Sequence, residues 1–160
     1  PADKGGATNF GVIQRTYQNY IDKFGDGHKV TKDEMKDMDV EVATDCYYKM
    51  FWGPSQASKL PDEVREVYFD MCVNHGQGNA VKILQQAINN KRKPANYIDV
   101  DGGIGPNTVR ASKGLKEWEL MVERSGFYWN LVFKGSKYKD RTNQVKFIRG
   151  WIRRCFKLDV

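Results

Sequence analysis

Apolar residues recur at helical spacing through most of this chain, and short polar stretches rich in Gly and Pro interrupt the recurrence. Tyr17, Tyr20, Ile21 and Phe24 fall on one face of a helix that stops at Gly25-Asp26-Gly27. Thr31 stands three residues before Glu34, the spacing of a capping box, and predicts the next helix start. From about Asp39 a further helix carries Ala43, Cys46, Tyr47 and Met50 on one side, and Gly53-Pro54 is expected to break it. Pro61, followed by Asp62 and Glu63, opens a helix with its acids toward the positive end of the dipole. Its stripe of Val64, Val67, Tyr68, Met71 and Cys72 is the expected centre of the core.

The polar run "NHGQGN" at 74–79 interrupts the pattern, and Asn79 is expected to cap a helix bearing Val81, Leu84, Ala87 and Ile88. "NNKRKPANYIDVDGG" reads as a basic loop with a strand signal at 97–101, and Pro106 sits where a helix can start. Leu115, Trp118, Val122 and Trp129 predict another helix, bent near Gly126. Val145, Ile148, Trp151, Ile152, Cys155 and Phe156 form a closing amphipathic stripe. The remaining strand signal is confined to the first dozen residues, so the expected fold is mainly α with a small N-terminal β-hairpin.

Composition narrows the chemistry. At 160 residues, 40% hydrophobic and 29% charged, the chain is an ordinary globular mixture that can bury a sizeable core. No apolar stretch reaches membrane-spanning length. Cys46, Cys72 and Cys155 form no paired motif and read as small core residues of a protein made in a reducing compartment. His28 and His75 belong to no ligand pair, and "DVDGG" would put Arg110 where a calcium loop needs a carboxylate, so neither a metal nor another cofactor is expected. The net charge of +6 favours polyanions. Lys146, Arg149, Arg153, Arg154 and Lys157 lie opposite the last stripe, read first as a solvated face and second as a polyanion contact. No nucleic-acid-binding signature accompanies them, and no nucleic-acid partner is expected.

Several stretches, taken in order, resemble one known family. "PADKGGATNFGVIQ" is similar to the Pro-x-Asp-x-Gly-Gly-x-Thr-x-aromatic-Gly stretch of the glycoside hydrolase family that includes phage N4-type lysozymes. "YYKMFWGP", "LPDEVREVYFDMCVNHGQGNAVKILQQAIN" and "DGGIGPNTVRA" resemble the predicted peptidoglycan domain that follows in that family, and "FIRGWIRR" its Gly-Trp-x-x-Arg ending. The resemblance implies a lysozyme-like α+β fold over residues 1–160, with 1–50 the remnant of a catalytic lobe and 51–160 a helical lobe. It implies an N-acetylmuramidase that cleaves the MurNAc–GlcNAc bond of peptidoglycan, an endolysin of prophage type or a related wall-remodelling enzyme. Such a protein is expected to be a monomer, made in the bacterial cytoplasm and acting at the periplasm or cell wall after release. Its expected partners are glycan strands and anionic wall polymers.

In that family a Glu-Gly-Gly-Tyr motif precedes the Gly-Gly-x-Thr stretch and supplies the general acid, which is expected here upstream of Pro1. Glu34, Glu41, Glu63 and Glu66 all fall at solvated helical positions. The resemblance gives Asp3 and Thr8 the task of holding the attacking water, although they lie one residue closer together than in the phage pattern. Asn9 and Gln14 are candidates for sugar contacts, since an amide offers donor and acceptor together. Asn74 and Gln77 are further candidates, with Asn74 read equally as a left-handed helix cap. Asp101 is expected to brace the turn that carries Gly102, Gly103 and Gly105. Two other classes remain open: a module that holds peptidoglycan without cutting it, and a basic interaction protein linked to secretion.

Overall fold

The computed structural model describes residues 7–133 and 145–156, and it divides the chain into two compact units, 1–55 and 56–160. The fold is mainly helical with one small antiparallel hairpin near the N-terminus, as the hydrophobic pattern predicts. Asp3 and Lys157 lie outside the described residues, as do the side chains of Val145, Lys146 and Phe156.

Unit 1 opens with the hairpin of β1 (Thr8–Asn9) and β2 (Val12–Ile13), in which Thr8 pairs with Ile13 and Asn9 with Val12. Phe10 and Gly11 form the turn with φ of 45° and 77°, and positive values at both central residues are the signature of a type I′ turn. Helix α1 (Gln14–Phe24) follows at once and ends at Gly25. Helix α2 (Lys32–Asp37) begins with the complete capping box: Glu34 N–H donates to the Thr31 hydroxyl while the Glu34 carboxylate accepts from Thr31 N–H. Helix α3 (Val40–Tyr47) is capped by Asp39, which accepts from Val42 N–H at 2.7 Å. Val12, Ile21, Val30, Met35, Met38, Ala43 and Cys46 close into one core, with Tyr17, Tyr20, Tyr47 and Met50 packed on it.

Gly53-Pro54 does not end α3. The chain passes through a π turn (Tyr48–Trp52) into the short α4 (Gly53–Ser55), and the break comes at Gln56, which is left-handed with φ 55°. The wider i−5 register of the turn, seen in Gly53 N–H donating to Tyr48 O, accommodates a proline that has no N–H to offer.

Unit 2 runs from a 3-10 turn (Ala57–Lys59) into α5 (Asp62–His75) and α6 (Gln77–Asn90). A second 3-10 turn (Pro94–Asn96) leads to a loop, then α7 (Pro106–Ala111), α8 (Glu117–Phe133) and α9 (Val145–Phe156). The α5 stripe is buried at all five predicted positions, and the four predicted on α6 are buried too. Helix α6 packs on both α5 and α8, and α9 packs on α8.

Three further expectations are corrected. Residues 97–101 carry no strand. Asn79 does not cap α6: Gly76, with φ 78°, occupies that position, and the Asn79 amide instead donates to His75 O at 2.9 Å. The α8 stripe lies on another face. Trp118, Val122 and Trp129 are 65%, 48% and 55% exposed, while Leu120, Met121, Arg124, Tyr128 and Val132 are buried.

Gly11 is fixed by both conformation and space, since a Cβ there would lie 2.7 Å from the Tyr47 hydroxyl. Gly11→Ala is expected to destabilise unit 1 by about 1–3 kcal/mol in urea unfolding. Tyr47→Phe in the same chain should return part of that loss by removing the clash and leave the positive-φ strain. Equal stability of Gly11→Ala and the parent would contradict this account.

Candidate functional site

The hairpin presents the predicted catalytic-lobe residues in three different ways. Thr8 is exposed on β1 and makes no side-chain hydrogen bond to a described residue. Asn9 turns inward: its amide donates to Lys36 O and Met38 O at 3.2 and 3.3 Å, and its oxygen accepts from Phe10 N–H at 3.0 Å. Gln14 donates to Val30 O at 2.9 Å, and its N–H donates to Ala7 O. The two amides therefore fasten the hairpin, one to the end of α2 and the other to the stretch before it. Phe10, which sequence reasoning did not single out, stands 53% exposed in left-handed conformation at the tip.

Three carboxylates of unit 1 are held in the charged form by their partners. Asp26 and Glu34 flank His28, whose imidazole is held above its ordinary 6.5 by hydrogen bonds to both. Asp26 is lowered chiefly by the His28 side chain, and Glu34 chiefly by Thr31 N–H. Asp45 is lowered by the Tyr20 hydroxyl and then by Lys49. Among the described residues, the carboxyl pushed the other way is Glu123 of unit 2, where burial outweighs the bond donated by Asn90.

Asn74 and Gln77 border the turn between α5 and α6. Asn74 is still helical, so Gly76 takes the left-handed position instead. The Asn74 amide donates to Asp70 O and to the Asp70 carboxylate, and its oxygen accepts from Arg154. Gln77 is the first residue of α6. Beneath this turn Arg124 is 2% exposed and donates from Nη2 to Asp70 and from Nε to His75 Nε2 at 3.2 Å. Burial, followed by the Arg124 charge, pushes His75 down to about 4. The imidazole is thus a neutral acceptor, packed against Phe127 and Tyr128.

A second constructed region lies on the loop before α7. Gln85, only 1% exposed, donates to Asp101 Oδ1 at 2.7 Å, Gly103 O at 3.0 Å and Thr108 Oγ1 at 3.3 Å. Its own oxygen accepts from Gly102 N–H at 3.0 Å. Asp101 also accepts from Gly103 N–H, which confirms its bracing role. A pocket of about 620 Å³ opens over this frame, lined by Tyr97, Asp99, Asp101, Asn107 and the Ile104–Pro106 turn. Across the turn a pocket of about 650 Å³ is lined by Lys59, Arg110, Lys113 and Val109. Gln85 and Arg124 lacked a sequence signal because each sits inside a helical pattern that shows only the spacing of apolar neighbours.

Thr8, Asn9 and Gln14 belong to unit 1, and Asn74 and Gln77 to unit 2. No group of His, Cys, Asp and Glu among the described residues is arranged to hold a metal ion, and no helix there is long and apolar enough to cross a membrane.

Comparison with known proteins gives two family matches in succession. Residues 1–76 match glycosyl hydrolase 108, and residues 79–156 match the predicted peptidoglycan domain. The border falls at the turn between α5 and α6, whereas the compact units divide between Ser55 and Gln56. Among solved structures, SagA of Brucella abortus is similar over 98% of this chain and 79% of its own, with 28% identity and a TM-score of 0.72. No curated protein matches the chain.

Two measurements probe this region. Gln85→Leu should cost about 2–3 kcal/mol, because the Gly102 N–H, the Gly103 carbonyl and the buried Thr108 hydroxyl all lose a partner. Amide exchange should accelerate at Gly102 and Gly103 while the α8–α9 amides keep their protection; unchanged exchange at the glycines would remove Gln85 from this role. An NMR titration should find His28 above 6.5 and His75 at about 4. The stability that His28 lends is then full below 6.5 and lost as pH rises through its folded value. That of His75 is full above 6.5 and lost as pH falls toward 4. Coincident titration near 6.5 would refute both environments.

Proposed function

We propose that this chain, which joins a glycosyl hydrolase 108 domain to a C-terminal predicted peptidoglycan domain, acts as an N-acetylmuramidase on the MurNAc–GlcNAc bonds of peptidoglycan. The observation that carries the reading is the succession of those two matches along nearly the whole chain. The first supports glycoside hydrolysis and the second names the polymer. The similarity to Brucella abortus SagA supports one architecture for both parts. Action at the wall after synthesis in the cytoplasm, and contacts between the +6 chain and anionic wall polymers, are part of the same proposal.

Hydrolysis of a glycosidic bond commonly uses one carboxyl to protonate the leaving oxygen and a second polar group to position water or stabilise the sugar cation. In this reading Asp3 and Thr8 hold the water. The exposed Thr8 hydroxyl, set at a fixed register against Ile13, is available for that task. A proton donor needs a raised pKa, and every carboxyl shift resolved in unit 1 is downward. The donor in this proposal is accordingly the upstream Glu that the resemblance implies. The match to the predicted peptidoglycan domain, taken by itself, favours a second reading, a module that holds the wall without cutting it.

The deciding test uses purified sacculi and compares residues 1–160 with a longer chain carrying the upstream Glu. The longer chain should release reducing ends and the shorter should bind without release, since a general acid contributes about 10²- to 10⁴-fold. Asp3→Asn in the longer chain should lower kcat strongly with sacculus binding retained, and Thr8→Ala should lower it less, because water can replace a hydroxyl. Equal lysis by both chains would overturn the upstream donor and direct the search to Glu123. Full activity of Asp3→Asn would return Asp3 to a turn-forming role.

A further inference from the structure

The two pockets of unit 2 share one wall, the Ile104–Gly105–Pro106 turn, and carry opposite charge on its two sides. On one side stand Asp99 and Asp101. Both hydrogen bonds that the Asp101 carboxylate makes with described residues use Oδ1, and the nearby Lys82 charge also helps hold it ionised. Asp99 has no hydrogen bond or ion pair with a described residue. On the other side stand Lys59, Arg110 and Lys113. Lys59 donates to Gln56 Oε1 at 2.7 Å and Arg110 to Asn107 Oδ1 at 2.5 Å, both neutral acceptors. None of the three cations pairs with a described carboxylate. The fold uses Asp101 Oδ1 to brace the loop and leaves Asp99 and the three cations without a described partner of opposite charge, while the buried Gln85 amide holds the loop that separates them.

The charges constrain what fits. Glycan sugars offer hydroxyl and acetamido groups, and the lactyl acid of MurNAc is neutralised where a peptide is attached. Amide and aromatic side chains suit such a ligand, and Tyr97 and Asn107 of the acidic side are of that kind, but Lys59, Arg110 and Lys113 call for anionic groups that a neutral sugar lacks. The peptide stem is different: it bears free carboxylates and, on its diamino acid, an ammonium group. Ile104, Pro106 and Val109 line the basic pocket with apolar surface that suits alanyl methyls and a diamino acid's methylenes. A three-residue peptide reaches about 10 Å when extended, enough to cross a single turn of chain.

We infer that the paired pockets form one bipolar site for the peptide stem of peptidoglycan. Its ammonium lies beside Asp99 and Asp101, and its carboxylates lie beside Lys59, Arg110 and Lys113. This rests on the peptidoglycan reading above and assigns to unit 2 the peptide part of the polymer, distinct from the sugar bond.

The test is calorimetry and NMR with the soluble tripeptide N-acetyl-L-Ala–γ-D-Glu–meso-diaminopimelate, whose one free amine is that of the diamino acid, on the 1–160 chain. Saturable binding is expected, with shifts at Gly103, Gly105 and Asn107. Asp99→Asn and Lys113→Gln, both at exposed positions, should each weaken it about three- to tenfold with thermal stability unchanged. Acetylating the free amine of the peptide should weaken binding similarly, and Asp99→Asn should then add no further loss. The inference is overturned by absence of saturable binding, or by indifference to both variants. It is also overturned if glycerol phosphate or tetra-N-acetylchitotetraose displaces the peptide at equal concentration. Because no bond is cleaved in this assay, it separates from the hydrolysis test. Tripeptide binding by residues 1–160 with no release of reducing ends by the longer chain sinks only the enzyme reading, and hydrolysis by the longer chain without tripeptide binding sinks only this one.

Discussion

Burying the Gln85 side chain removes an amide from water, and that penalty is offset by its two N–H groups, shared among three acceptors, and by its oxygen, which accepts from Gly102 N–H. Those bonds converge on Asp101, Gly102, Gly103 and Thr108, so α6 fixes a loop that has no strand partner and few apolar side chains of its own. Gly102 meets the same demand from the backbone side. Its φ is 80°, and a Cβ would lie 3.1 Å from both Gly78 O and the Lys82 side chain. The turn at 104–106 and the start of α7 inherit their position from this frame. Rigidity on the loop side therefore comes from polar satisfaction, whereas α5 and α6 owe theirs to apolar packing.

Arg124 plays the corresponding part among α5, α8 and α9. A guanidinium at 2% exposure would be prohibitive alone, but Asp70 neutralises it, His75 accepts its Nε proton and Tyr128 lies beneath it. The arrangement works because His75 stays neutral, which the positive neighbour and burial together enforce. Asp70 and Asn74 then extend the chain of contacts to the exposed Arg154, which ties the basic closing helix α9 to this network at the surface. The expected solvated face of α9 holds at Arg149 and Arg154, both exposed, with Arg154 also donating to Asn74.

Much of this architecture is legible in the sequence because periodicity reports burial directly. The α5 and α6 stripes, the Thr31–Glu34 box, the Asp101 brace and the N-terminal hairpin all follow from spacing and turn chemistry. The failures have physical causes. Gly53-Pro54 is a breaker only if the helix keeps its i−4 register, and a π turn evades that condition. Asn79 satisfies capping preferences, but Gly76 reaches the cap conformation first and without strain. On α8 apolar residues occupy two faces, so periodicity alone does not say which is inside. The buried choice is the face that carries Arg124 and Tyr128, because it is the one whose polar groups find partners. Trp129 and Phe133, with ring centroids 4.3 Å apart, remain outside.

The candidate site in unit 1 follows the same logic of what local structure consumes. Asn9 and Gln14 offered the amide chemistry that suits sugars, yet each spends its N–H groups on backbone carbonyls and thereby holds the hairpin against the helices. What the hairpin leaves available is the Thr8 hydroxyl and the Phe10 ring. Phe10 occupies a left-handed position where Asn or Gly would be accommodated with less strain, and about half its surface faces solvent. Neither turn geometry nor core packing explains a bulky aromatic there. The hairpin thus resolves into two amides that build it, one strained aromatic at its tip, and one hydroxyl held at a register that Gly11 and Tyr47 keep fixed.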